Sequence, residues 1–71
     1  MFVRHKMMNS HLREARKRMG MTQPELARHV SVSQGHISRL ERLKDNASPD
    51  LAKRLAQVLN IPVTKILYPD E

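Results

Sequence analysis

The chain has 71 residues, the length of one small domain, and its 13 Lys and Arg against 7 Asp and Glu give a formal net charge of +6. At this length folding leaves a chain only marginally stable unless packing is efficient or a second subunit contributes. Cysteine is absent, which excludes disulfides and thiolate zinc sites and favours a reducing cytoplasm. No apolar run approaches the roughly 20 residues that span a bilayer, and the start lacks the apolar stretch of a secretory signal.

The excess of positive charge favours a polyanionic partner, although a basic surface also serves solubility alone. With one Phe, one Tyr and no Trp, the chain offers few platforms for stacked bases, so duplex DNA is favoured over single strands. No enzyme chemistry is indicated, because no nucleophile has a base at motif spacing and only two glycines occur. Neither a metal site nor a cofactor is expected from the scattered histidines, which are His5, His11, His29 and His36.

The amino end of the chain has no hydropathy period and no helix cap over residues 1–8. We predict an unordered tail there, with a basic arm of Arg4, His5 and Lys6 as the alternative. The single domain is predicted to occupy residues 9–68.

A first helix is predicted from His11 to about Met19. Leu12, Ala15 and Met19 recur at the spacing of one buried stripe. Gly20 supplies the left-handed residue that ends such a helix.

The second helix has a strong start signal, because Thr22 followed by Glu25 is the pattern of a capping box. The helix is predicted to begin at Gln23, with Pro24 tolerated in its first turn. It ends near Val30, since the Ser-Val-Ser that follows continues a helix poorly.

A third helix follows after about three residues, with Ser33 as its cap. Ile37, Leu40 and Glu41 share the face predicted to pack. The opposite face is polar and basic and carries Gly35, Ser38, Arg39 and Arg42. Two short helices joined this way form the geometry that lets the second helix enter a major groove.

Ser48 followed by Pro49 marks a fourth helix that runs to about Leu59. Its apolar residues are too many for a narrow stripe, so it is predicted to be central and buried on more than one side. Pro62 opens a last short helix through Leu67. The sequence therefore predicts an all-α bundle of about five short helices.

The stretch from Met21 to Glu41 strongly resembles the helix-turn-helix of the phage-repressor and Cro-type, Xre-like family. The similarity covers roughly residues 10–67, with the motifs T-Q-x-E-L-A, V-S-x-x-x-I-S-x-L-E and L-x-I-P-V-x-x-I-L. It implies a lambda-repressor-like fold and a DNA-binding transcriptional regulator. Ser31 and Leu43 depart from the family pattern, since glycine is common at both positions. Ser31 predicts some backbone strain, and Leu43 predicts either a longer third helix or a different exit loop.

The resemblance aligns Gln34, Gly35 and Arg39 with positions that read base edges. Gln can pair bidentately with adenine and Arg with guanine O6 and N7, each worth about 1 to 3 kcal/mol of discrimination. Gly35 has no side chain with which to read a base, so its role would be to permit close backbone approach. Ser38 and Arg42 complete the predicted base-reading set.

The resemblance also aligns Thr22 and Gln23 with residues that clamp a phosphate at the amino end of the second helix, where anions are favoured. Lys44 and Asn46, in the loop after the third helix, are predicted to contact further phosphates, which set register without reading sequence. A solvated surface role is the alternative for each basic residue. The weaker phosphate candidates are Arg13 and Arg28.

Arg16 and Glu41 align with an ion pair that links the first helix to the third in relatives. The apolar neighbours Ile37 and Leu40 favour an inward Glu41. The alternative is Arg16 as a phosphate contact and Glu41 as a solvated acid.

The leading functional hypothesis is a homodimeric repressor, because two recognition helices related by a twofold axis read a palindrome that one alone cannot. The predicted subunit contact is the apolar carboxyl end of the domain, namely Val63, Ile66, Leu67 and Tyr68. The alternative is an antitoxin-type regulator that binds a partner protein as well as DNA.

Overall fold

The computed structural model describes residues 11–68. Over this range the chain forms five helices and no strand. The helices are α1 His11–Arg18, α2 Gln23–Val30, α3 Gln34–Glu41, α4 Pro49–Leu59 and α5 Thr64–Leu67. The all-α prediction is confirmed, whereas the predictions for the tail and the basic arm lie outside the described residues.

Three of the helices begin at side-chain caps that the sequence predicted. Thr22 Oγ1 accepts a hydrogen bond from the Glu25 N–H at 3.2 Å, and Glu25 Oε1 accepts one from the Thr22 N–H at 2.8 Å. Ser33 and Ser48 accept from the amide three residues on, at 3.1 and 3.2 Å. These bonds satisfy amides that have no partner within the helix, which is why α2, α3 and α4 start where they do.

The connections between the helices turn at residues with positive φ. Gly20 has φ 73°, as predicted, but Ser31 at 62° and Leu43 at 59° adopt the same left-handed conformation without being glycine. Of the two outcomes predicted for Leu43, a longer third helix or a different exit loop, the structure has the second. Helix α3 ends at Glu41, and the exit loop turns at Leu43. The Lys44 N–H closes this turn by donating to the carbonyl oxygen of Arg39 at 2.8 Å.

A single hydrophobic cluster holds the five helices together, and α4 packs against α1, α2 and α5. α3 packs against α1 and α2. Side chains from four helices are buried in this cluster, namely Leu12, Ala15, Leu26, Ala27, Val30, Ile37, Leu40, Leu51, Leu55 and Leu59. Helix α4 contacts three of the other helices, as its predicted central place requires, but its buried residues share one side, because Lys53, Arg54 and Gln57 are exposed. The same cluster holds one face of α3 inward.

Two predictions about the helices were wrong in detail. Met19 is 47 % exposed and does not join the core, because α1 ends at Arg18 and the chain reverses at Gly20. Met21, which the sequence also places in the core, does pack against it. The last helix begins at Thr64 and not at Pro62, although the carbonyl oxygen of Pro62 already accepts from the Lys65 N–H in the preceding turn.

Among the helices of residues 11–68, none has both the length and the apolar character needed to cross a membrane.

Candidate nucleic-acid interface

The two faces of α3 differ in burial as the sequence predicted. Ile37, Leu40 and Glu41 are buried. The outward face is exposed at Gln34, Gly35, Arg39 and Arg42, and Ser38 is half-buried beside them. Polar and cationic groups are therefore presented to solvent along one side of a helix that the core anchors from behind.

Arg16 and Glu41 form the ion pair that the resemblance implied. Arg16 Nε lies 2.5 Å from Glu41 Oε2 and Arg16 Nη2 lies 3.1 Å from Glu41 Oε1, with side chains only 10 % and 2 % exposed. Arg16 Nη1 also donates to the carbonyl oxygen of Met21 at 2.8 Å. One guanidinium thus ties α1 to α3 and to the turn that precedes α2, so the pair sets where the two helices meet.

A chain of hydrogen bonds connects this pair to the surface. Gln23 Nε2 donates to Glu41 Oε1 at 3.0 Å, and Gln34 Nε2 donates to Gln23 Oε1 at 3.4 Å. The amide group of Gln34, a predicted base reader, is thereby oriented by Gln23, whose side chain is in turn hydrogen-bonded to the buried carboxylate of Glu41. A side chain held this way loses less conformational entropy when it binds a ligand.

The amino end of α2 offers fewer free groups than the sequence suggested. The Thr22 N–H donates to Glu25 Oε1, and the Thr22 hydroxyl accepts from the Glu25 N–H and lies 3.2 Å from the same Oε1. Pro24 has no N–H. Helix geometry leaves the Gln23 amide without a partner inside α2, so it is the amide placed to meet an anion here.

The capping box also affects the acidity of Glu25. The backbone N–H of Thr22 is the main cause that lowers the pKa of Glu25 below its ordinary value of 4.5, and the Thr22 hydroxyl adds to it. The carboxylate form is favoured because it is the form that accepts these hydrogen bonds.

Arg39 lies next to an acidic residue of the loop that follows α3. Its Nε is 3.6 Å from Asp45 Oδ2, and the same oxygen is 3.3 Å from His36 Nδ1. Asp45 Oδ1 accepts from the Asn46 N–H at 2.8 Å. That bond is the main cause that lowers the pKa of Asp45, and His36 and Arg39 act in the same direction.

Gly35 leaves open the space next to the Arg39 guanidinium. A Cβ atom at position 35 would lie 3.5 Å from Arg39 Nη1, which is ordinary van der Waals contact. An alanine would therefore fit, whereas a larger side chain would compete with the guanidinium for the surface of the first turn of α3.

A cleft of about 250 Å³ opens where α1, α3 and the start of α2 meet. The buried ion pair forms part of its wall, and cationic and polar side chains complete it. Its lining residues are Arg13, Arg16, Gln23, Ser38, Glu41 and Arg42. In the described part of the chain, no group of three or more acidic or histidine side chains is placed to hold a metal ion.

Known proteins are similar to this chain over most of its length. A family model described as helix-turn-helix matches residues 12–66. Two proteins of Archaeoglobus fulgidus, each named an uncharacterized HTH-type transcriptional regulator, are 39 % identical over 64 residues, which cover 90 % of this chain and 91 % and 90 % of theirs. A protein of the same name from Methanothermobacter thermautotrophicus is 42 % identical over 52 residues, covering 73 % of this chain and 75 % of its own. No solved structure gives a significant match.

The chain belongs to the Xre and Cro-like helix-turn-helix family. The turn of this helix-turn-helix is Ser31 to Ser33, between α2 and α3. Lys44 and Asn46, the predicted phosphate ligands of the exit loop, are both exposed. They follow α3 directly, so they lie at its carboxyl end, whereas Gln23 lies at the amino end of α2.

The carboxyl end of the helix-turn-helix domain is only partly available as a surface. Ile66 packs against the core, so part of the apolar character of α5 serves the domain itself. Val63 and Leu67 are half-buried, and Tyr68 is 54 % exposed. The predicted subunit contact therefore has Tyr68 as its most accessible member.

Sequence reasoning missed two features of the candidate interface. Asp45 lies six residues after Arg39 and nine after His36, separations outside the helical spacings of three and four, so no periodicity links them. The bond from Gln23 to Glu41 joins residues 18 apart. The one signal for that bond is chemical, because a buried carboxylate in a two-point ion pair still has lone pairs that need donors.

Proposed function

We propose that this protein is a sequence-specific regulator of transcription that binds double-stranded DNA with α3 in the major groove. The observation that carries the proposal is the division of α3 into a buried face and an exposed face that includes Gln34, Arg39 and Arg42. A rigid helix with one anchored side is the element that a major groove admits. The excess of Lys and Arg over acids suits a polyanion.

Base reading is assigned to the outward face of α3. Gln34 suits adenine, whose N6 and N7 it can contact together, and Arg39 suits guanine O6 and N7. Ser38 and Arg42 lie beside them, and Gly35 permits close approach of the helix backbone. The hydrogen bond from Gln34 Nε2 to Gln23 Oε1 supports the role of the exposed Gln34, because it restrains the side chain and leaves one Nε2 hydrogen and Oε1 for a base.

Phosphate binding is assigned to the two ends of the helix-turn-helix. At the amino end of α2 the ligands are the backbone amide of Gln23 and the one Nε2 hydrogen that its bond to Glu41 leaves unused, with Thr22 contributing mainly by holding the cap. At the exit from α3 they are Lys44 and Asn46. These contacts would fix the register of α3 in the groove without reading bases.

The active form we propose is a homodimer that represses by occupying a palindromic operator. One helix of eight residues reaches a few base pairs, so two copies are needed for operator affinity. Val63, Leu67 and Tyr68, with the outer edge of Ile66, form the proposed contact between subunits. A duplex-DNA regulator of this kind acts in the cytoplasm and by binding, without catalysis or a cofactor.

Selection of bound sequences from random duplex DNA tests the proposal. It should return a palindrome whose half-sites contain a guanine and an adenine near each other. Random duplex would be bound more weakly, with a log–log salt slope of roughly −0.9 per phosphate contact. A selected pool without a consensus, or binding that is equal for all sequences, would contradict base reading.

A further inference from the structure

We propose that Asp45 is a positioning residue for base reading, because its carboxylate holds the Arg39 guanidinium through Nε and so directs the two terminal nitrogens toward the groove. The inference rests on the proposed function, since it assigns a role within DNA recognition. Asp45 itself would touch no base.

The first support is the geometry of the guanidinium. Asp45 Oδ2 forms an ion pair with Arg39 Nε at 3.6 Å, on the side of the guanidinium away from a bidentate contact made end-on through the two terminal nitrogens. On the other side, Arg39 Nη1 lies over Gly35. Arg39 is 51 % exposed, and a side chain of that length in water would otherwise sample many rotamers.

The second support is that Asp45 is itself fixed. Its Oδ1 accepts from the Asn46 N–H at 2.8 Å, which holds the carboxylate against its own loop. His36, in the first turn of α3, lies 3.3 Å from the same Oδ2 that faces Arg39. The carboxylate is thus attached to the loop at one oxygen and bridges two turns of α3 with the other.

The third support is that an acid on this surface has an electrostatic cost that needs a reason. Asp45 is exposed at the end of a helix that is proposed to meet phosphates, where a negative charge opposes binding. At a cognate site, holding Arg39 in the orientation that pairs with guanine would offset the repulsion between Asp45 and the phosphates. At other sequences nothing would offset that repulsion. Asp45 would therefore raise specificity by lowering affinity for the wrong sequence.

The experiment compares Asp45→Asn with Asp50→Asn as its matched control. Asn retains an oxygen for the Asn46 N–H but loses the charge. Asp50 lies on α4 and pairs with Arg54 at 3.6 Å, so its variant breaks a pair of the same type and length away from α3. Circular dichroism and thermal unfolding would establish that both variants fold as the parent does.

Dissociation constants would be measured for the selected operator, for operators changed at the guanine pair, and for random duplex. Asp45→Asn is expected to weaken operator binding by roughly threefold to tenfold, part of the discrimination of a bidentate arginine, and to leave random duplex unchanged or bound more tightly. Asp50→Asn should change neither the affinity for the operator relative to changed operators nor its affinity relative to random duplex. In the double variant with Arg39→Ala, selectivity at the guanine pair should be no lower than in Arg39→Ala alone.

The outcomes separate the two proposals. If Arg39→Ala relaxes selectivity but Asp45→Asn tightens operator and random duplex equally, Asp45 is only a repelling charge, and the positioning role fails while base reading stands. Additive losses in the double variant would also overturn the positioning role. If Arg39→Ala itself leaves selectivity intact, base reading by Arg39 and positioning by Asp45 fail together.

Discussion

Arg16 and Glu41 join α1 to α3 by two hydrogen bonds, one from Nε to Oε2 at 2.5 Å and one from Nη2 to Oε1 at 3.1 Å. Removing either residue leaves the other as an unpaired charge in the interior, which costs about 3–5 kcal/mol. At roughly 0.05–0.15 kcal/mol per residue, the unfolding free energy of a domain of this size is about 4–11 kcal/mol. Arg16→Ala and Glu41→Ala should therefore each lower the urea midpoint severely.

A double variant, Arg16→Met with Glu41→Leu, provides the control. It removes both charges together, so it is expected to recover part of the stability that either single change loses. Recovery would be incomplete because Gln23 and the carbonyl oxygen of Met21 lose their partners. Losses below about 1 kcal/mol for both single variants would instead describe a solvated surface pair.

Stability should fall as the solution becomes acidic, and Glu25 and Asp45 are two of the groups responsible. Both pKa values are lowered in the folded state, from ordinary values of 4.5 and 3.8. The unfolded chain therefore binds protons first as pH falls. The contribution of these two carboxylates to the free energy of unfolding is fully present above their ordinary pKa values. It is lost as pH falls through their lowered pKa values.

Glu25→Gln tests this pH dependence, because glutamine can still accept from the Thr22 N–H but does not titrate. Thermal unfolding measured from about pH 7 down to about pH 3 should show a shallower decline for the variant than for the parent. Asp45→Asn should also make the decline of thermal stability with falling pH shallower, and more so at the lower end of the same pH range. Parallel curves for parent and variants would rule out both carboxylates as a source of the acid sensitivity.

Ser31 lies in the turn of the helix-turn-helix with a φ of 62°, where a Cβ atom is unfavourable. Ser31→Gly removes that strain at the cost of a more flexible unfolded chain, so a net gain of up to about 1 kcal/mol is expected. For a domain of this size, each 1 kcal/mol shifts Tm by roughly 4–8 °C. Asn60→Gly at φ 57° is the control, with a smaller gain because asparagine tolerates this conformation better. A lower Tm for Ser31→Gly would show that the stabilisation from the serine side chain exceeds the cost of its backbone strain.

Much of the fold could be predicted because its signals are local. The caps at Thr22, Ser33 and Ser48 fixed three helix starts, and the inward face of α3 followed from the spacing of Ile37, Leu40 and Glu41. These features depend on residues within one or two turns of each other. The family resemblance supplied what spacing alone does not contain, the pairing of Arg16 with Glu41 across 25 positions.

The remaining features depend on where separate elements meet. Met19 continues the apolar stripe in the sequence, but α1 ends before it and the chain reverses at Gly20, so its side chain stays exposed. Leu43 adopts a left-handed conformation that its residue type disfavours, in the turn of the exit loop, which the Lys44 N–H closes by donating to the carbonyl oxygen of Arg39. Asp45 reaches Arg39 because of that same loop, and no local pattern indicates the contact.

The proposed subunit contact can be tested at Tyr68, the most exposed of its residues. Tyr68→Asp should dissociate the dimer by burying a charge in the contact, and it should leave the fold intact because Tyr68 is half exposed in the single subunit. Sedimentation at micromolar concentration would report the change in mass. The control is Lys53→Gln at an exposed position of α4, and this variant should remain dimeric. A parent protein that sediments as a monomer would contradict the homodimer.

The outward face of α3 is proposed to meet DNA, and NMR of the labelled protein with its selected duplex observes that contact residue by residue. Amide shifts should change most at Gln23, along Gln34 to Arg42 and at Lys44, while Lys53 and Gln57 on α4 stay near their free positions. Changes centred on α4 or α5, with the α3 amide shifts unchanged by a saturating duplex, would contradict DNA binding by α3.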